Sequence, residues 1–280
     1  MDAEDKTTDY DGNAALAALV WQAELGVTEV VGDTPVDAYA LPEKLAKPAP
    51  PQPEPESAPP VSRKRTPPEH SPAPAAAGPD PVEVSTQAAS VAEDLSALRA
   101  AMEAFDLCDL KKGARKFVFA DGQPGAHLMI VGEAPGREED LAGFPFVGQA
   151  GQLLDRMLAA IGLSRKAEEI AQAVYITNTL PWRPPGNRDP SPEEIAMMRP
   201  FLMRHIFLAR PKVLIAAGNT ACSALLGQRG ILRLRGNWKD CGGLPLMPMT
   251  HPSYLLRNPA AKREAWADLL DIRARLEELA

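Results

Sequence analysis

Cysteine is scarce in this chain of 280 residues: there are three, Cys108, Cys222 and Cys241, and none stands in a Cys-x-x-Cys pair. That excludes a disulfide-built scaffold. Long apolar runs are missing too, so no segment reads as a membrane span, and no leader reads as a secretory signal. A reducing cytoplasm is the expected setting. Only four histidines occur, and there is no internal repeat. Basic residues are outnumbered, Lys+Arg 30 against Asp+Glu 37, for a net charge of -7. The deficit is local. Residues 1–95 carry 6 basic and 17 acidic side chains, net -11, which leaves +4 on the remainder. A mildly basic remainder is compatible with DNA, and equally with ordinary solvated surface.

Proline is abundant, 29 in all, with fourteen between Leu41 and Val82. Such a stretch cannot bury enough apolar surface to offset its ordering entropy. The composition predicts a short helical segment in residues 1–33, a disordered Pro/Ala-rich linker over 34–90, and one domain over 91–280. Residues 13–25 (NAALAALVWQAEL) read as an amphipathic helix that stops at Gly26. It either folds onto the domain or docks another protein, and both readings stand at this point.

Residues 88–104 suggest a helix, with Leu95, Leu98, Ala101 and Met102 at helical spacing. Four apolar runs then read as buried strands, at 127–132, 173–179, 212–218 and 244–249. Helical patterns at 151–161, 192–209 and 220–226 separate them, and another follows over 262–279. Strand–helix alternation predicts an α/β/α three-layer fold around a four-stranded parallel sheet.

The stretch LMIVGEAPGREEDLAGFPFVGQAGQLL, residues 128–154, carries the most chemistry. A strand breaks at Gly132, an acid follows at Glu133, and an aromatic shelf at Phe144 and Phe146 precedes a helix. Open α/β sheets place ligands at the carboxyl ends of their strands. Asn178 ends the second run, and His251 follows the fourth in THPSYLLRNP. Each has a bland reading beside the functional one. Glu133 could accept turn amides, Asn178 could brace a loop, and Phe146 could be a core aromatic.

Together, Gly132-Glu133-Ala134-Pro135-Gly136, PFVGQAG, Asn178 ahead of RPPGNR, and His251-Pro252-Ser253-Tyr254-Leu255-Leu256 resemble the iron–sulfur (family 4) uracil-DNA glycosylases. The likeness spans about residues 105–272. It implies monofunctional removal of uracil from DNA by base flipping and hydrolysis, as a monomer. By resemblance, Glu133 positions water and favours the sugar cation, and His251 stabilises the leaving base. Gly132, Phe146, Asn178 and Glu139 hold the base, with Glu139 crowding the uracil 5-position. Leu256, Arg257, Arg183 and Arg188 face DNA. No lysine stands in the motifs, so lyase chemistry is not expected.

One departure is large. The family's [4Fe–4S] ligand positions read Phe105, Cys108, Trp182 and Met198, and a cluster normally needs four thiolates. The expectation from sequence is a protein with no cluster and no other cofactor. Two further readings belong to other classes: a non-catalytic DNA-binding module on the same fold, and an interaction protein acting through residues 13–25.

Overall fold

Four buried strands run parallel and in register through the molecule. The computed structural model describes residues 79–279; the expectations for residues 13–25 and for the linker up to residue 78 lie outside the described residues. Helices α1 (Pro81–Ser90), α2 (Leu95–Ala104) and α3 (Leu110–Gly113) lead into strand β1 (Ala120–Gly122). Then come β2 (Leu128–Gly132), α4 (Arg137–Ala142), α5 (Gln149–Ala159), β3 (Val174–Asn178) and α6 (Pro192–Ala209). The chain closes with β4 (Val213–Ala217), α7 (Asn219–Leu226), α8 (Ile231–Leu234), β5 (Lys239–Cys241), β6 (Leu244–Met249), α9 (Pro252–Arg257) and α10 (Lys262–Glu278).

The sheet order is β1-β3-β2-β4-β6-β5. The four parallel strands are the four apolar runs. Two short antiparallel strands, β1 on β3 and β5 on β6, extend the expected four to six. Side chains alternate across a strand, so each strand feeds two cores. Met129, Val131, Leu214 and Ala216 face one core, with residues of α1, α2, α6 and α7. Leu128, Ile130, Val213 and Ile215 face the other, with Leu154 and Leu158 of α5 and Leu269, Ile272 and Leu276 of α10. Helices on both faces make the three layers.

Local chemistry sets the boundaries. Ser191 caps α6 by accepting from Glu194 N, Glu194 accepts in return from Ser191 N, and Pro192 opens the first turn. The linker boundary needs correcting: residues 81–90, expected as linker, form α1. Asp80 caps it by accepting from Val82 N at 2.9 Å, and Pro81 takes the first turn. Ser85 and Ala89 are buried, and α1 packs on α6. The proline that counted towards a linker is a helix-starting proline.

His205 of α6 is buried, stacks on Phe119 at 4.4 Å and meets the Tyr175 hydroxyl at 2.9 Å. Burial pushes its pKa down to about 3. The unfolded chain therefore binds a proton below pH 6.5 that the fold refuses. This contribution to stability is complete above 6.5 and is lost as pH falls from there towards 3, by up to ~1.4 kcal/mol per pH unit. The melting temperature should drop between pH 7 and 5. His205→Gln, which keeps a partner for Tyr175 but cannot titrate, should flatten that slope.

Candidate active site

Strand β2 turns to β3 on one side, while β4 turns to β6 on the other, so the connections part between β2 and β4. That divergence opens a crevice at the carboxyl ends of the strands. The cleft there has a volume of about 600 Å³, and Glu133, Phe146, Asn178 and His251 all line it. Glu133, Asn178 and His251 each follow or end a strand whose apolar run was legible. Gly132 and Asn178 are register partners at the ends of β2 and β3. Pairing continues past the strands: Thr179 N and Oγ1 donate to Gly132 O, and Leu180 N donates to Glu133 O. Glu133 and Asn178 are therefore held on adjoining, hydrogen-bonded stretches of chain.

Gly132 is required by close approach. A Cβ there would sit 2.4 Å from Asn178 Oδ1 and 2.6 Å from the Phe146 ring. Phe146 has φ 54, a left-handed backbone that bulky residues rarely adopt. Its ring stacks on His251 with centroids 5.3 Å apart. Phe144, the other half of the expected shelf, is 52% exposed.

Glu133 is half-buried and accepts from Thr220 Oγ1 at 2.7 Å. Thr220 lies in the first turn of α7, after β4, so this bond spans the crevice. Burial raises the Glu133 pKa, and Asp189 adds to that; the Thr220 hydroxyl and Arg229 pull it back. The result is a carboxylate less well solvated than a surface one.

His251 caps α9, its Nδ1 accepting from Ser253 N at 3.2 Å. With Nδ1 as acceptor, the ring hydrogen resides on Nε2. Burial pushes the His251 pKa down to about 4; Glu139 opposes this and Arg257 assists it. The imidazole is neutral at physiological pH and is a hydrogen-bond donor.

Of the other expected residues, Glu139, Arg188 and Arg257 line the same cleft. The Glu139 carboxylate accepts from Gly136, Val147 and Gly148 N, each at 3.1 Å, so it braces the loop that carries Phe146. Arg188 lines the cleft while forked onto Glu194 at 2.9 and 2.6 Å, and Arg183 donates to Asn187. Arg257 is exposed at the cleft, and Leu256 is 37% exposed beside buried Leu255. Thr220 and Arg165 were not anticipated. Thr220 carried one readable signal, its place just past a strand end; Arg165 carried none.

A family model described as the uracil DNA glycosylase superfamily matches residues 119–270. A type-4 uracil-DNA glycosylase of Archaeoglobus fulgidus is 38% identical over 59% of this chain and 84% of its own length. One of Thermotoga maritima is 42% identical over 54% of this chain and 77% of its own length. The chain belongs to the type-4 uracil-DNA glycosylases. The motif spacing that suggested this family is thus supported over the domain.

Family membership corrects one expectation. The residues alone predict a chain with no iron–sulfur cluster, yet its relatives are type-4 glycosylases, the iron–sulfur type of the resemblance. At the four ligand positions, Phe105, Cys108, Trp182 and Met198 are all buried in one core, and only Cys108 is a thiol. Burial pushes its pKa up. Among the described residues, no group of three or more His, Cys, Asp or Glu side chains could hold a metal. These side chains do not supply four thiolates. No helix among the described residues is long and apolar enough to cross a membrane.

Proposed function

We propose that this uracil-DNA glycosylase of DNA repair acts on a uracil turned out of the DNA into the cleft, and hydrolyses its N-glycosidic bond with Glu133 and His251. The supporting observation is the convergence of Glu133, Asn178, His251 and Phe146 on one crevice at the strand ends. Breaking the bond develops positive charge on the sugar and negative charge on the base. The Glu133 carboxylate stabilises the first and orients water, and the Thr220 hydroxyl holds it in place. The His251 Nε2–H donates to the base O2 as charge develops there, a preorganised donor in a poorly solvated site. Being neutral, the imidazole keeps Nδ1 as the acceptor for Ser253 N and so keeps its donor on Nε2.

Asn178 reads the base. An amide offers one donor and one acceptor, which matches uracil O4 and N3–H and opposes cytosine. Phe146 supplies a π-face for the extruded ring. Arg257, at the mouth of the cleft, meets a phosphate.

The test is base release from oligonucleotides that carry a single uracil or cytosine. Uracil should be freed and cytosine left in place. Asn178→Asp should cut uracil release about 10- to 100-fold, the cost of leaving base groups unpaired at ~1–3 kcal/mol each. A wild-type rate for that variant would remove Asn178 from the pocket, and a wild-type protein that binds DNA without releasing uracil would sink the enzymatic reading.

A further inference from the structure

We infer that Arg165 is a positioning residue of this site, holding the Phe146 ring where it can stack on the base. The inference rests on the reading of Phe146 as the base platform. Phe146 keeps its left-handed backbone although it is no glycine. Such a conformation persists only where its surroundings over-determine it. Gly132 makes room for the ring, and Gly151, in the first turn of α5, makes room for the Phe146 backbone. A Cβ on Gly151 would lie 1.7 Å from the Phe146 carbonyl oxygen. Space alone does not hold a strained turn, and the carbonyls at its apex need donors.

Arg165 supplies them. It lies beyond α5, on the way to β3, with its side chain only 8% exposed. Its Nη2 donates to Phe146 O at 3.0 Å and its Nη1 to Pro145 O at 3.0 Å. The same guanidinium pairs with Asp121 of β1 at 2.9 Å and with Asp155 of α5 at 2.8 Å. Two carboxylates thus balance a largely buried charge, which would be costly unpaired. The planar fork reaches two carbonyls and two carboxylates at once; a lysine has a single nitrogen and cannot reproduce this. Arg165, Asp121 and Asp155 do not line the cleft. They act on the base through Phe146.

The experiment compares Arg165→Lys, Phe146→Leu, the double variant and Asp121→Asn in the full chain. It reads single-turnover uracil release, inhibition by free uracil, binding to a duplex bearing a tetrahydrofuran abasic analogue, and melting temperature. Phe146→Leu should weaken release and free-uracil affinity about tenfold, within the range for a lost base–aromatic stack. Arg165→Lys should approach the same loss, with abasic-duplex binding retained. The double variant should be no worse than Phe146→Leu alone. Asp121→Asn should shift the same readings less, and it carries the test if Arg165→Lys fails to fold. Wild-type uracil affinity in Arg165→Lys, additive losses in the double variant, or equal losses of uracil and abasic-duplex binding would overturn the role of Arg165 while leaving the platform intact. A silent Phe146→Leu would instead remove the platform, and the inference with it.

Discussion

Glu133→Gln lowers the rate of uracil release by about 10²–10⁴-fold, the usual worth of one positioned catalytic group, and leaves DNA affinity close to wild type. The substitution keeps shape and keeps an oxygen that can accept from Thr220 Oγ1, so the crevice between β2 and β4 stays bridged. What it removes is charge. A carboxylate that opposes developing sugar cation is strongest where water is thin, and Glu133 is half-buried there. The pH profile separates this role from a packing role. A carboxylate that works ionised loses activity as pH falls through its pKa. Burial raises that pKa, so the acid limb of wild-type release lies above pH 4.5. Glu133→Gln should have no such limb. Unchanged release, or an unchanged limb in the variant, would place the catalytic charge elsewhere.

The parts that were legible in the sequence share one property: their signal is local. Strands β2, β3, β4 and β6 are short apolar runs bounded by Gly, Asn or Pro, and α6 carries its cap and its proline at its own start. Glu133, Asn178 and His251 could be placed because each stands at or just past the end of such a run. The missed parts depend on through-space partners. Strands β1 and β5 are three-residue edges with no apolar run, made into strands by pairing with β3 and β6. Thr220 reaches Glu133 across 87 residues. Arg165 serves a turn 19 and 20 residues upstream, and nothing near it in sequence marks it as a clamp. Glu139 also depends on through-space partners: it lines the cleft as its motif suggested. What the motif did not reveal is that three backbone amides hold its carboxylate there.

His251 offers a sharper separation of chemistry from folding, because two substitutions divide its tasks. His251→Ala removes both the Nε2 donor and the Nδ1 cap on Ser253 N. It should lose about 10²–10³-fold in rate, as loss of one transition-state donor does, and ~0.5–2 kcal/mol of stability for the cap. His251→Asn retains a side-chain oxygen suited to the cap position but sets no donor where Nε2 stood. It should melt near wild type and be nearly as slow as His251→Ala. The neutral state carries its own signature. With a pKa pushed down to about 4, the imidazole adds no ionisation to the rate between pH 6 and 8. Were the imidazolium the working form, release would climb as pH fell from 7 towards 5. Such a climb, or full activity in His251→Asn, would mean that His251 only caps α9 and that the leaving base finds its donor in another group.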